Sequence, residues 1–201
     1  MRSMSESRNQ SAAVERHPLQ PFLPEGAKVL FLGSFPPPRQ RWCMDFFYPN
    51  WINDHWRIEG LVFHADRDYF VDAEHKTFRL GEIKSHCSSR GIAFYDTATA
   101  VRRLRDNASD KFLEVVEPTD IPALIARLRA LLAIVTTGEK ATGTVCQTMG
   151  IPRMPAVGEA LAIHGTCLEL YRLPSSSRAY PLSLERKAEA YERMFRRYGL
   201  V

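Results

Sequence analysis

KVLFLGSFPPP, residues 28–38, sets an unbroken apolar run, Val29 to Leu32, against a glycine and, just beyond it, three prolines. An apolar run this short, with no polar alternation, suits a strand buried on both faces. Gly33 permits a tight turn at its end, and the prolines stiffen the chain that follows. The pattern then recurs. IAFYDT (92–97), LAIVTTG (132–138) and GTCLELYRLP (165–174) read as three further strands. Helical stretches separate them: PNWINDHWRIEGLVF, FRLGEIKSHCSSRG with Gly91 as C-cap, PTDIPALIARLRAL with Thr119 or Asp120 as N-cap, EKATGTVCQTMG, and the closing SLERKAEAYERMFRRYG. Strands alternating with helices predict an α/β fold, a three-layer α/β/α sandwich around a central, mostly parallel four-stranded sheet.

Residues 1–26 are polar, lack a period and close on PLQPFLPEG, which predicts a flexible N-terminal arm before a single domain at 27–201. At 201 residues and 45% hydrophobic the chain can bury a sizeable core. Lys and Arg outnumber Asp and Glu by 27 to 23, a mild excess that permits a polyanionic partner without requiring one. The four cysteines, Cys43, Cys87, Cys146 and Cys167, have no Cys-x-x-Cys spacing. No metal site is expected from them; free thiols in a reducing compartment are. With no secretory or membrane-spanning run, a soluble cytoplasmic protein is expected, a monomer with no membrane partner. No Walker loop, nucleophile elbow or dinucleotide fingerprint is present.

In a parallel sheet, ligands gather beyond the carboxyl ends of the strands. Four segments leave there: GSFPPPRQRW, DTATAVRR, TTGEK and LPSSSRAYP. Hydroxyls at Ser175, Ser176 and Ser177 with the cation of Arg178 can hold phosphate, although serines in this setting also simply cap turns. MDFFYPNWINDHW packs Phe46, Phe47, Tyr48, Trp51 and Trp56 among Asp45, Asn50, Asn53 and Asp54. Aromatic faces beside amides and carboxylates suit a planar heterocycle, and most of these rings are equally expected in the core. Asp96 sits at the mouth of the second strand, as a ligand contact or a helix cap. Gly138 opens a helix and gives a weak anion signal; Lys140 is a phosphate contact or plain surface charge. Of the histidines only His55, inside the aromatic cluster, stands out.

Together, LFLGSFPP, FYPNWINDHW, YDTATAVRRL and LPSSSRA, in that order, resemble the motifs of the uracil-DNA glycosylase superfamily, nearest to the mismatch-specific uracil and thymine-DNA glycosylases, over residues 28–195. The resemblance implies a DNA glycosylase of base excision repair that needs no cofactor. It would hydrolyse the N-glycosidic bond of a deaminated or damaged, uracil-type base flipped out of DNA. It implies a base pocket formed by Gly33, Ser34, Phe35, Phe47, Tyr48 and Asn53. DNA contacts would come from Ser175, Ser176, Ser177, Arg178 and Lys140. One departure matters. The family carries an Asn- or Asp-type residue two positions after the first-motif glycine, where this chain has Phe35, which cannot orient or deprotonate water. Asp45 and Asp96 are then the candidate catalytic carboxylates. Two rival readings follow: a lesion-binding module of the same fold that does not cut, favoured by Phe35, and an enzyme acting on free nucleosides.

Overall fold

A computed structural model describes residues 13–104 and 112–201. Its central sheet has five strands, not the expected four, in the order β5-β2-β8-β10-β9. Here β2 is Val29–Gly33, β5 Ile92–Asp96, β8 Ala133–Thr136, β9 Ala160–Ala162 and β10 Glu169–Arg172. Four run parallel, and β9 is an antiparallel edge strand on β10. The apolar runs explain the centre: β2 is buried from Val29 to Leu32, and β5 and β8 are buried throughout, so both faces must be covered. The fifth strand carries no buried run to mark it in the sequence: two of its three residues are partly buried and Ala162 is exposed.

Helices flank this sheet. Phe31 meets His55 of α1 (His55–His64) and Tyr191 and Phe195 of α5 (Leu184–Arg197), while α2 (Leu80–Arg90) joins α1 through a His86–Glu59 bond. The short α3 (Ile121–Ile125) and the longer α4 (Glu139–Met149) contact each other. Several sequence signals act as expected: Asp120 Oδ1 caps α3 at Ala123 N, 2.9 Å away, and Gly91 ends α2 in the left-handed region at φ 76°. Two helices are shorter than the pattern predicts. The chain from Tyr48 to Asp54 forms turns before α1, and α3 gives way after Ile125 to tight i→i+3 turns that lead into β8.

A second sheet was not foreseen. It orders β1 (Val14–Arg16), β6 (Ala98–Arg103) and β7 (Leu113–Pro118) antiparallel. β3 (Val71–Asp72) and β4 (Thr77–Phe78) form a small separate hairpin. Because β1 pairs with β6, the expected arm is docked over residues 13–26. His17 N donates to Thr99 O at 2.8 Å, and Phe22 exchanges backbone hydrogen bonds with Phe94. Residues 1–12 of that arm lie outside the described residues. All four cysteines are unpaired, with Cys87 and Cys146 buried and Cys167 exposed. Among the described residues, no helix is long and apolar enough to cross a membrane.

Candidate active site

The strand register aligns the exits. Gly33 lies opposite Asp96, Leu32 opposite Thr136, and Thr136 opposite Arg172. The loops beyond these residues enclose a cleft of about 380 Å³, within the range of small-molecule pockets. Gly33, Ser34 and Phe35 line it after β2, Asp96 at the end of β5, Thr137 and Gly138 after β8, and Ser175, Ser176 and Ser177 after β10. Phe46, Phe47, Tyr48, Asn50 and Asn53 also line it. The structure thus brings together all six expected base-pocket residues, Asp96 and the three serines.

Each has a physical reason for its place. An added Cβ on Gly33 would lie 2.3 Å from Asp96 Oδ1, so glycine is what lets the carboxylate approach the β2 exit. Tyr48 holds a left-handed backbone, φ 50°, unusual for a bulky residue. Its ring stacks flat on buried His55, centroids 3.7 Å apart and 7° between planes. Phe47 stacks on Phe94. Asn53 Oδ1 accepts the His55 N–H at 2.9 Å, which leaves the Asn53 amide NH₂ as a donor. Ser175 Oγ accepts the Ser177 N–H and Ser177 Oγ accepts the Ala179 N–H, both at 3.2 Å. These are serine turns, and their hydroxyl hydrogens stay available to donate. Ser176 is buried, its carbonyl accepting from Asp54 N at 3.0 Å.

Asp96 is buried at the cleft wall. Its carbonyl accepts from Thr119 Oγ1 at 2.7 Å, and its Oδ2 lies 2.8 Å from His17 Nε2. His17 came without a sequence signal: it lies in the segment expected to be mobile, and its partner is 79 residues away. Its ring packs against Tyr95 at 4.8 Å, Phe35 at 5.4 Å and Phe47 at 6.3 Å. Burial, and after it the nearby Asp96 carboxylate, pushes the Tyr95 phenol up, so it stays a protonated donor.

Three expected site residues lie elsewhere. Asp45 is exposed, paired with Arg39 in a shallow surface hollow with Trp42 and Thr77, and does not line the cleft. Side chains one or two positions apart on a turning loop face different ways, so nearness in sequence misplaced it. Arg178 Nε donates to Asp54 Oδ1 at 2.9 Å beside the cleft. Lys140 donates to the Leu113 carbonyl.

No family model matches the chain, and no curated protein matches it in sequence. Among solved structures, it is similar to a solution NMR structure of a candidate uracil DNA glycosylase from Methanosarcina acetivorans. The TM-score is 0.61 at 22% identity, over 93% of this chain and 99% of the other. The two share a fold.

Proposed function

We propose that this chain is a DNA glycosylase of the uracil-DNA glycosylase superfamily, on the mismatch-specific side, that removes a deaminated or damaged, uracil-type base flipped out of DNA. The observation that carries this reading is the convergence of four strand exits on one cleft, walled by aromatic rings and holding a buried carboxylate at its edge. The shared fold adds support. The everted base stacks among Phe47, Tyr48 and Phe35, and the Asn53 amide donates to a carbonyl on its edge. The serine hydroxyls, with Arg178 released from Asp54, hold flanking phosphates. Asp96 is the catalytic residue. Its negative charge favours the cationic sugar that forms as the N-glycosidic pair departs with the base. Water then adds to the sugar carbon and gives its proton to Asp96 Oδ1, which accepts no hydrogen bond among the described residues. No cofactor is called on, and the protein acts as a monomer.

Phe35 favours a second reading, a lesion-binding module that leaves the bond intact. A panel of duplexes, each carrying one altered base, separates the two when scored for alkali-labile breaks and for binding. Breaks with at least one base, lost in Asp96→Ala while binding persists, support the glycosylase. Tight, base-selective binding with no break on any duplex supports the module.

A further inference from the structure

We infer that His17 is a positioning residue for Asp96, delivered to the cleft by the docked N-terminal segment; its catalytic consequence rests on the glycosylase reading, its geometry does not. The His17 side chain is 2% exposed, so both ring nitrogens need partners inside the protein. Nε2 faces Asp96 Oδ2 at 2.8 Å. Nδ1 faces two groups of the Leu19 main chain, the N–H at 3.1 Å and the carbonyl at 2.9 Å. This pairing fits either protonation state. In neutral His17, Nδ1 accepts from Leu19 N–H and Nε2–H donates to Asp96. In the imidazolium, Nδ1–H donates to Leu19 O, and Nε2–H still donates to Asp96. In both arrangements the Nε2–H bond to the carboxylate is the same. Asp96 therefore keeps Oδ2 locked and Oδ1 turned toward the Gly33 Cα at the cleft.

The groups facing His17 are consistent with this. Asp96 and Tyr95 come from β5, and Phe35 and Phe47 offer only ring edges and faces. Its charged chain neighbours are engaged elsewhere, Glu15 with Arg103 of β6 and Arg16 with Glu117 of β7. Phe35 thus gains a role. At the position where the resemblance implies a polar residue, it walls in a histidine that orients the carboxylate from another strand.

The test uses the full chain. In ¹⁵N-histidine-labelled protein, the structure predicts for His17 an imidazole Nε2–H proton protected from exchange and shifted downfield, distinct from that of His86 on Glu59. It should be absent in His17→Gln and displaced in Asp96→Asn. In single-turnover base release, His17→Ala should slow the rate by roughly ten- to a hundredfold, the usual cost of losing an orienting partner, with DNA affinity unchanged within about twofold. His17→Gln, which can still donate to Asp96, should recover most of that rate. His17→Ala added to Asp96→Asn should slow it no further, because the two act as a unit. A His17 proton in free exchange and indifferent to Asp96→Asn overturns the inference. So do additive rate losses, or a Gln variant no better than Ala. If no duplex releases a base, the glycosylase reading falls and the NMR signal still decides the pairing.

Discussion

Gly33 shows how a single hydrogen atom can hold a site open. An alanine there would place its Cβ 2.3 Å from Asp96 Oδ1, far inside contact distance, and the carboxylate cannot swing aside without leaving His17. Gly33→Ala should therefore cost about 1–3 kcal/mol of stability, as overpacking does. It should also slow base release by about a hundredfold, the scale of a 1 Å misplacement of a reacting group. Urea unfolding and single-turnover kinetics read the two effects. A variant with wild-type rates would remove Asp96 from the chemistry. Asp45→Ala, outside the cleft, is the matched control and should leave the rate unchanged. At this scale the sequence was legible where backbone fixes direction. Gly33 and Asp96 end buried strands, and a strand end points its residues at one known edge. Asp45 and His17 were not legible for the opposite reason: one sits on a turning loop, and the other depends on a pairing across the chain.

The loop after β10 contributes the serine wall of the cleft, and its anchor lies on α5. Lys187 is buried, and its Nζ donates to Ser177 O at 2.8 Å and to Asp54 Oδ2 at 3.2 Å. Asp54 in turn precedes α1 and holds Arg178. The serine loop is thus tied to two helices through one buried cation. Lys187→Met leaves Asp54 buried with a half-exposed arginine as its charge partner, and breaking such a pair costs about 3–5 kcal/mol. Hydrogen exchange at the Ser177 and Ala179 amides should quicken in that variant, and DNA affinity should fall with it. Arg178→Ala should lower stability by about 1 kcal/mol or less, since that pair faces water. Equal losses from both substitutions would mean Lys187 is no anchor. Elements built from continuous apolar runs were readable from sequence, as were capped helices. The β1-β6-β7 sheet was not, because LEVVEP is exposed at five of its six positions and ATAVRR is a mixed run that pairs with segments distant in the chain.

For the whole molecule, the buried triad of His55, Glu59 and His86 ties stability to pH. Glu59 is fully enclosed between α1 and α2, with Oε2 2.9 Å from His86 Nε2. His55 Nε2 is 3.0 Å from Oε1, so the carboxylate faces an imidazole on each oxygen. Burial alone would raise the Glu59 carboxyl, yet the two histidines together outweigh it and hold it below the ordinary carboxylate range. Burial depresses His55, and also His64, which stacks on Tyr69. Every one of these shifts has the same sign: the unfolded chain binds protons more readily than the folded one, so stability rises with pH. His55 and His64 set the upper window. Their contribution is complete above about pH 6.5, the unfolded histidine value, and drains away as pH falls below it. Glu59 sets the lower window, with stability present above about pH 4.5 and lost toward its depressed folded value. Urea midpoints should therefore fall in two stages from pH 7 to pH 3. Glu59→Gln separates them. It should lower stability at pH 7 by about 3 kcal/mol, since a buried partner is lost. It should keep the decline between pH 6.5 and 5, and flatten the one below 4.5. A variant that keeps the lower stage intact would move that stage to other carboxylates, Glu169 first, which Arg197 holds below its ordinary range.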